Sequence, residues 1–146
     1  MNKSNAPLGA AIVAGIIGGV IVDAFLSIVM HTSPIGIWQF VASTIVGKDA
    51  FTSPSYAVLG FIVHFITSIV WAVVYLYVFG ALGQLKNWIL GAVVWGVVVD
   101  LAMNVILAVK TGSAYLPGVE GALISHVVFY ALPVAWYLAR STKRAA

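Results

Sequence analysis

Two aspartates lie inside long apolar stretches of the sequence, where a carboxylate is least expected. Asp23 lies in GGVIVDAFLSIVM and Asp100 in WGVVVDLAMNVIL, while His64 and His126 occupy two further apolar stretches. Carboxylates and imidazoles can exchange protons or bind cations, and ionisable residues inside a membrane are rare and usually functional. These four residues are therefore the candidate proton-binding or ion-binding site.

The two halves of the sequence repeat one pattern around these residues. At a spacing of four, Gly15, Gly19, Asp23 and Ser27 match Ala92, Gly96, Asp100 and Asn104. In the partner segments, Gly60, His64, Ser68 and Tyr75 match Ala122, His126, Tyr130 and Tyr137. Positions four apart share one helix face, where small residues permit close packing and polar residues avoid lipid. The sequence therefore predicts two tandem copies of a helical hairpin.

The elements that carry this pattern are predicted to be membrane-spanning helices. Of the 146 residues, 62% are hydrophobic and only 8% are charged. Four apolar segments, residues 8–30, 56–79, 88–109 and 119–138, are each long enough to cross a hydrocarbon core of about 30 Å. We therefore expect an all-α polytopic membrane protein with one membrane domain over residues 1–146. Its first repeat covers about residues 8–79 and its second about 86–139.

The two hairpins differ in their connections. Residues 32–55 form a long outer loop, in which residues 35–46 are apolar but too short to span. This segment could lie along the outer interface and cap the polar residues, or it could dip inward as a re-entrant helix. His31 extends the first polar stripe to the loop, whereas Ala108 stands at the matching place. From helix rise, all four titratable residues are expected in one layer, roughly 10–12 Å from the outer ends.

The charged residues predict how the chain is oriented. Basic residues concentrate at one set of helix ends, namely Lys3, Lys86, Arg140, Lys143 and Arg144, against Lys48 and Lys110 at the other. By the positive-inside rule, both termini are predicted to be cytoplasmic in a multi-pass protein of the inner (plasma) membrane. The net charge of +3 reflects this bias and does not indicate nucleic-acid binding. Cysteine is absent, which excludes disulfides and thiolate metal sites.

Three chemistries suit two carboxylates and two imidazoles that meet between helices. The first is binding or conduction of a proton or small cation, with Ser27, His31, Ser68, Asn104 and Tyr130 as supporting residues. The second is a divalent metal held by Asp23, His64, Asp100 and His126, because carboxylate and imidazole ligands suit zinc, manganese or ferrous iron. The third is haem b between His64 and His126.

A different class of function fits the same composition. A small chain with short connections suits a non-catalytic subunit or assembly factor of a larger membrane complex, and the chain is expected to form a homo-oligomer or to join such a complex. The partner common to both classes is the lipid bilayer. The sequence has no phosphate-binding glycine loop and no GxSxG motif, so an enzyme is unsupported, though not excluded.

Three short stretches resemble a group of poorly characterised bacterial four-helix inner-membrane proteins, the YagU-like proteins. They are GFIVHFITSIVWAVVY at residues 60–75, WILGAVVWG at residues 88–96 and LPGVEGALISHVVFYALPVAWYLA at residues 116–139. His64 and His126 match the helix pattern of that group. The resemblance implies a polytopic inner-membrane protein without a defined activity, and it does not extend to Asp23 and Asp100.

Overall fold

The described part of the chain is helical. A computed structural model describes residues 6–82, 87–112 and 123–145. Its helices are α1 (Ala6–Val29), α2 (Pro34–Val46), α3 (Tyr56–Ala81) and α4 (Trp88–Thr111), with a 3₁₀ turn at Gly47–Phe51 after α2. The last helix, named α5 here, starts with a π-helical part, Ser125–Ala131, and continues as the α-helix Leu132–Ala145. The predicted all-α fold is confirmed for these residues.

Within the described residues, three helices are long and apolar enough to cross a membrane. They are found at Leu8–Val29, Tyr56–Gly80 and Trp88–Thr111, which agree with three of the four segments predicted from the sequence. The predicted fourth span, residues 119–138, lies partly outside the described residues and stays a prediction. Exposed side chains along α1, α3 and α4 are apolar or aromatic, apart from Lys110 near the end of α4. This distribution suits helices that face lipid.

The helices pack in a definite order. α1 packs against α3 on one side and α5 on the other, and α5 packs against α4. α3 and α4 share few contacts, which include edge-to-face rings of Trp71 and Trp95 with centroids 5.5 Å apart. α2 packs against both α3 and α4. α2 also contacts α1 and packs most extensively on α3, so this short helix makes the arrangement of the described helices asymmetric.

Small residues set the closest helix contacts. A Cβ atom on Gly15 would lie 2.6 Å from Cα of Ile69 in α3, and one on Gly96 would lie 2.6 Å from Cα of Val127 in α5. A Cβ atom on Gly60 would overlap the carbonyl oxygen of Trp38 in α2. Glycine at these positions lets the backbones approach closely, as the sequence pattern predicts for Gly15 and Gly96.

The turn between α1 and α2 explains His31. The residue has a φ of 48°, the Thr32 N–H donates to the Ser27 carbonyl at 3.2 Å, and the His31 N–H donates to the Ile28 carbonyl at 3.3 Å. This pattern is a Schellman helix end, with His31 in the left-handed position. After it, Ser33 caps α2 by accepting from the Gly36 N–H at 3.4 Å. His31 is thus a turn residue at the surface of the described chain.

Candidate functional site

The first aspartate pairs with the histidine of the next long helix. Asp23 Oδ1 in α1 lies 3.2 Å from His64 Nε2 in α3, and both side chains are only 12% exposed. The indole of Trp38 in α2 donates to Asp23 Oδ2 at 3.0 Å. One carboxylate therefore joins three helices, and burial of its charge is offset by a charge partner and a hydrogen-bond donor.

The His64 ring also contacts the backbone of α1. Its Nε2 lies 3.2 Å from the carbonyl oxygen of Gly19. A carbonyl oxygen only accepts, so Nε2 carries the hydrogen and donates it to Gly19. Asp23 Oδ1 lies at ion-pair distance from the same nitrogen but lacks hydrogen-bond geometry. We therefore treat Asp23 and His64 as an electrostatic pair whose single N–H is directed mainly at the backbone.

The second aspartate also pairs with a histidine of a later helix, but the contact uses a different nitrogen of the imidazole ring. Asp100 Oδ1 in α4 lies 2.9 Å from His126 Nδ1 in α5. The first pair uses Nε2 and the second uses Nδ1, and His126 lies in a π-helical segment whereas His64 lies in a regular α-helix. The two pairs occupy matching places in the sequence, yet they are chemically distinct.

Both imidazoles line one cavity between the helices. The cavity has a volume of about 110 Å³ and receives side chains from all five helices. His64 and His126 are lining residues, whereas Asp23 and Asp100 are not. Each aspartate is therefore set behind the histidine with which it pairs. Because one water needs roughly 10–15 Å³ of such space, the cavity can hold several waters.

The four titratable residues do not form the metal site that the sequence suggested. Within residues 6–82, 87–112 and 123–145, no three His, Asp or Glu side chains are grouped closely enough to hold a metal ion. The physical reason is that each carboxylate lies next to a single imidazole, and the cavity lies between the two pairs. The cavity also suits haem b poorly, since a void of about 150 Å³ holds a single benzene and a porphyrin has four pyrrole rings.

The five supporting residues predicted from the sequence divide into three groups. Ser68, Asn104 and Tyr130 line the cavity, and the Tyr130 hydroxyl donates to the Ser68 carbonyl at 2.5 Å, which links α5 to α3. The Ser27 hydroxyl lies in α1, one helical turn after Asp23. It is buried and has no hydrogen-bond partner among the described residues. His31 is exposed and is not a lining residue.

Trp38 is the site residue that sequence reasoning missed. From sequence it reads as an aromatic residue of the outer interface, yet its indole N–H reaches a carboxylate of α1. One signal was available, because a tryptophan N–H is only a donor and usually finds an acceptor when buried. Which acceptor it finds depends on the position of α2, and the sequence left that position open.

These features define a class: over the part of the chain that the structure describes, it is an all-helical protein with three helices long and apolar enough to cross a membrane and with two Asp–His pairs beside one cavity. No family, curated protein or solved structure was found to match the chain. The similarity to YagU-like proteins stays a prediction. What the pairs do is therefore inferred from their geometry.

Proposed function

We propose that the chain is an integral membrane protein that binds and exchanges protons at its two Asp–His pairs. The observation that supports this most strongly is the recurrence of the pair. Asp23 and Asp100 are buried, each pairs with a partly buried histidine of another long helix, His64 or His126, and both imidazoles line the same cavity. Burying an ionisable residue among membrane helices costs free energy, so the recurrence of the pair favours a functional role.

A proton suits these pairs better than a larger cation. Moving one proton within an Asp–His pair interconverts a charged pair and a neutral pair, which needs no further ligands. A metal or alkali cation needs several oxygen or nitrogen ligands that converge on one point. The described residues offer one carboxylate and one imidazole at each place.

The cavity offers a route between the pairs. Its volume of about 110 Å³ accommodates several waters, and water can relay a proton between imidazoles that do not touch. In this proposal the carboxylates orient and stabilise the imidazoles, and the imidazoles exchange protons with the water of the cavity. Asp23 and Asp100 are thus positioning residues, and His64 and His126 are the exchanging groups.

Removing the charge of both carboxylates should slow proton movement strongly. The Asp23→Asn and Asp100→Asn double variant keeps the shape of each side chain and removes its charge. In phosphatidylcholine–phosphatidylglycerol vesicles with an internal pH dye, we expect an applied potential to acidify the lumen at least about tenfold more slowly than with the wild type. Asp49→Asn is the matched control, because Asp49 is exposed in the 3₁₀ turn.

Two results would contradict the proposal. A wild-type rate equal to that of protein-free vesicles would remove proton conduction. A rate in the double variant equal to that of the wild type would show that protons move without the aspartates. Comparable folding of the three proteins is checked by circular dichroism before reconstitution.

We also propose that the chain crosses the inner membrane four times as two tandem hairpins, with both termini cytoplasmic. The support is the position of the basic residues in the sequence. The cysteine-free chain permits a direct test with Ser4→Cys, Thr52→Cys and Ser141→Cys. In intact spheroplasts, an impermeant maleimide should label only the Thr52→Cys variant. Labelling of exactly one terminus would instead indicate an odd number of spans.

A subunit or assembly factor in a larger complex is the second proposal. It rests on the small size of the chain and its short predicted connections. Purification in a mild detergent separates the two proposals, because a stable heteromeric partner favours the subunit and a homo-oligomer or monomer that moves protons favours the first.

A further inference from the structure

We infer that the cavity is also a binding site for a small uncharged hydroxyl compound, whose O–H group pairs with Nδ1 of His64 while its apolar body lies between the helices. The inference rests on the orientation of one imidazole and on the walls around it. It does not require that the two pairs conduct protons.

The hydrogen on the His64 ring is assigned by its surroundings. Nε2 lies 3.2 Å from the Gly19 carbonyl oxygen and 3.2 Å from Asp23 Oδ1, and the carbonyl can only accept. Nε2 therefore carries the hydrogen. In the neutral imidazole, Nδ1 then has a free lone pair and is a hydrogen-bond acceptor.

Nδ1 of His64 is available to a ligand. Among the described residues, His64 has no hydrogen bond at this atom, and the atom is not one of the fully buried polar atoms that lack a partner. His64 lines the cavity. The ring is thus held at one nitrogen by α1, and its other nitrogen is an accessible atom of a residue that lines the cavity.

A hydroxyl is the chemical group that suits this nitrogen in both protonation states. Nδ1 accepts a hydrogen bond when the ring is neutral and donates one when the ring is charged. A hydroxyl both donates and accepts, whereas an ether only accepts and an ammonium only donates. An uncharged ligand also avoids the cost of placing an unpaired charge in an apolar cavity.

The rest of the cavity selects for an apolar body. Aliphatic and thioether side chains form much of its wall: Val22, Leu26, Val63, Val99, Met103 and Leu107. Two polar groups of the wall are already engaged, since Thr44 donates to the Val41 carbonyl and Tyr130 donates to the Ser68 carbonyl. A volume of about 110 Å³ is slightly below the roughly 150 Å³ that holds benzene, so about four or five heavy atoms fit.

Two isomeric probes test the inference. 1-Butanol and methyl propyl ether have the same atoms, but only the alcohol has an O–H group. With the full chain in micelles and ¹⁵N-labelled histidine, we expect 1-butanol to shift the Nδ1 resonance of His64 in a saturable way. The ether should need at least about tenfold higher concentration, because it cannot donate to the nitrogen.

A substitution of His64 provides a second, independent test of the proposed binding site. By saturation transfer to the alcohol, His64→Gln should bind 1-butanol about tenfold more weakly, whereas the matched control His31→Gln should bind as the wild type does. Equal affinity for both isomers would overturn the inference, since it indicates only an apolar void. It would also be overturned by an Nδ1 resonance that the alcohol leaves unchanged, or by undiminished binding to a folded His64→Gln variant. If that variant does not fold, the comparison of isomers on the wild type decides.

Discussion

Replacing His64 with leucine is expected to lower the free energy of unfolding by about 3 kcal/mol. The leucine leaves Asp23 buried, with only the Trp38 indole as a donor, and removing one partner of a buried ion pair typically costs about 3–5 kcal/mol. The expected loss lies at the lower end of this range because Asp23 can take up a proton, which reduces the cost of burying it. Unfolding in mixed micelles with increasing dodecyl sulfate measures this change.

The double variant Asp23→Asn with His64→Leu separates charge from packing. Asparagine keeps an acceptor for Trp38 and carries no charge, so the double variant should recover most of the loss. If it is as unstable as His64→Leu alone, the loss comes from the shape of the imidazole and the pairing argument is wrong. His31→Asn is the control, because it removes an exposed imidazole and asparagine tolerates the left-handed backbone at this position.

Replacing Gly60 with alanine is expected to displace α2 and break the Trp38–Asp23 hydrogen bond. The added methyl group would overlap the carbonyl oxygen of Trp38, and a backbone atom cannot rotate aside as a side chain can. Overpacking of this kind typically costs about 1–3 kcal/mol. The indole N–H resonance of Trp38 should exchange with deuterium at least tenfold faster, since about 1.4 kcal/mol corresponds to a factor of ten.

Gly9→Ala is the matched control for this variant. A Cβ atom on Gly9 meets nothing within 4 Å, so the substitution should be neutral or stabilising through helix propensity alone. The same propensity gain applies to Gly60 and opposes the expected loss. Unchanged exchange of the Trp38 indole in the Gly60→Ala variant would mean that α2 can move without releasing Asp23.

The helices, and the helix faces that are lined by small residues, could be predicted from composition and from residue spacing. Three of the four long apolar runs predict the bounds of described helices to within two residues, because the thickness of a bilayer sets the length expected of a span. The spacing of four predicted that Gly19 and Asp23 share one helix face, as do Gly96 and Asp100, and in the structure these two faces contact α3 and α5. These are properties of single helices, and single-helix properties can be derived from local sequence.

Which side chains pair with each other, and where α2 packs, could not be derived in the same way. The sequence predicted that the four titratable residues lie in one layer, but it did not predict that Asp23 would pair with His64 and Asp100 with His126, with both imidazoles lining one cavity. The nitrogen that each imidazole uses depends on ring rotation, and at His126 the backbone is also π-helical, a feature without a clear sequence signal. The position of α2 depends on a contact with Gly60 that is far away in sequence.

The bond between Trp38 and Asp23 also has a consequence for biosynthesis. Its two residues are 15 positions apart, whereas His64 follows Asp23 by about forty positions. At about 5–20 residues per second, the ribosome delivers the histidine roughly 2–8 s after the aspartate. The indole is therefore the first of the two partners to be translated, and it can shield the carboxylate from lipid while the rest of the chain is still being inserted.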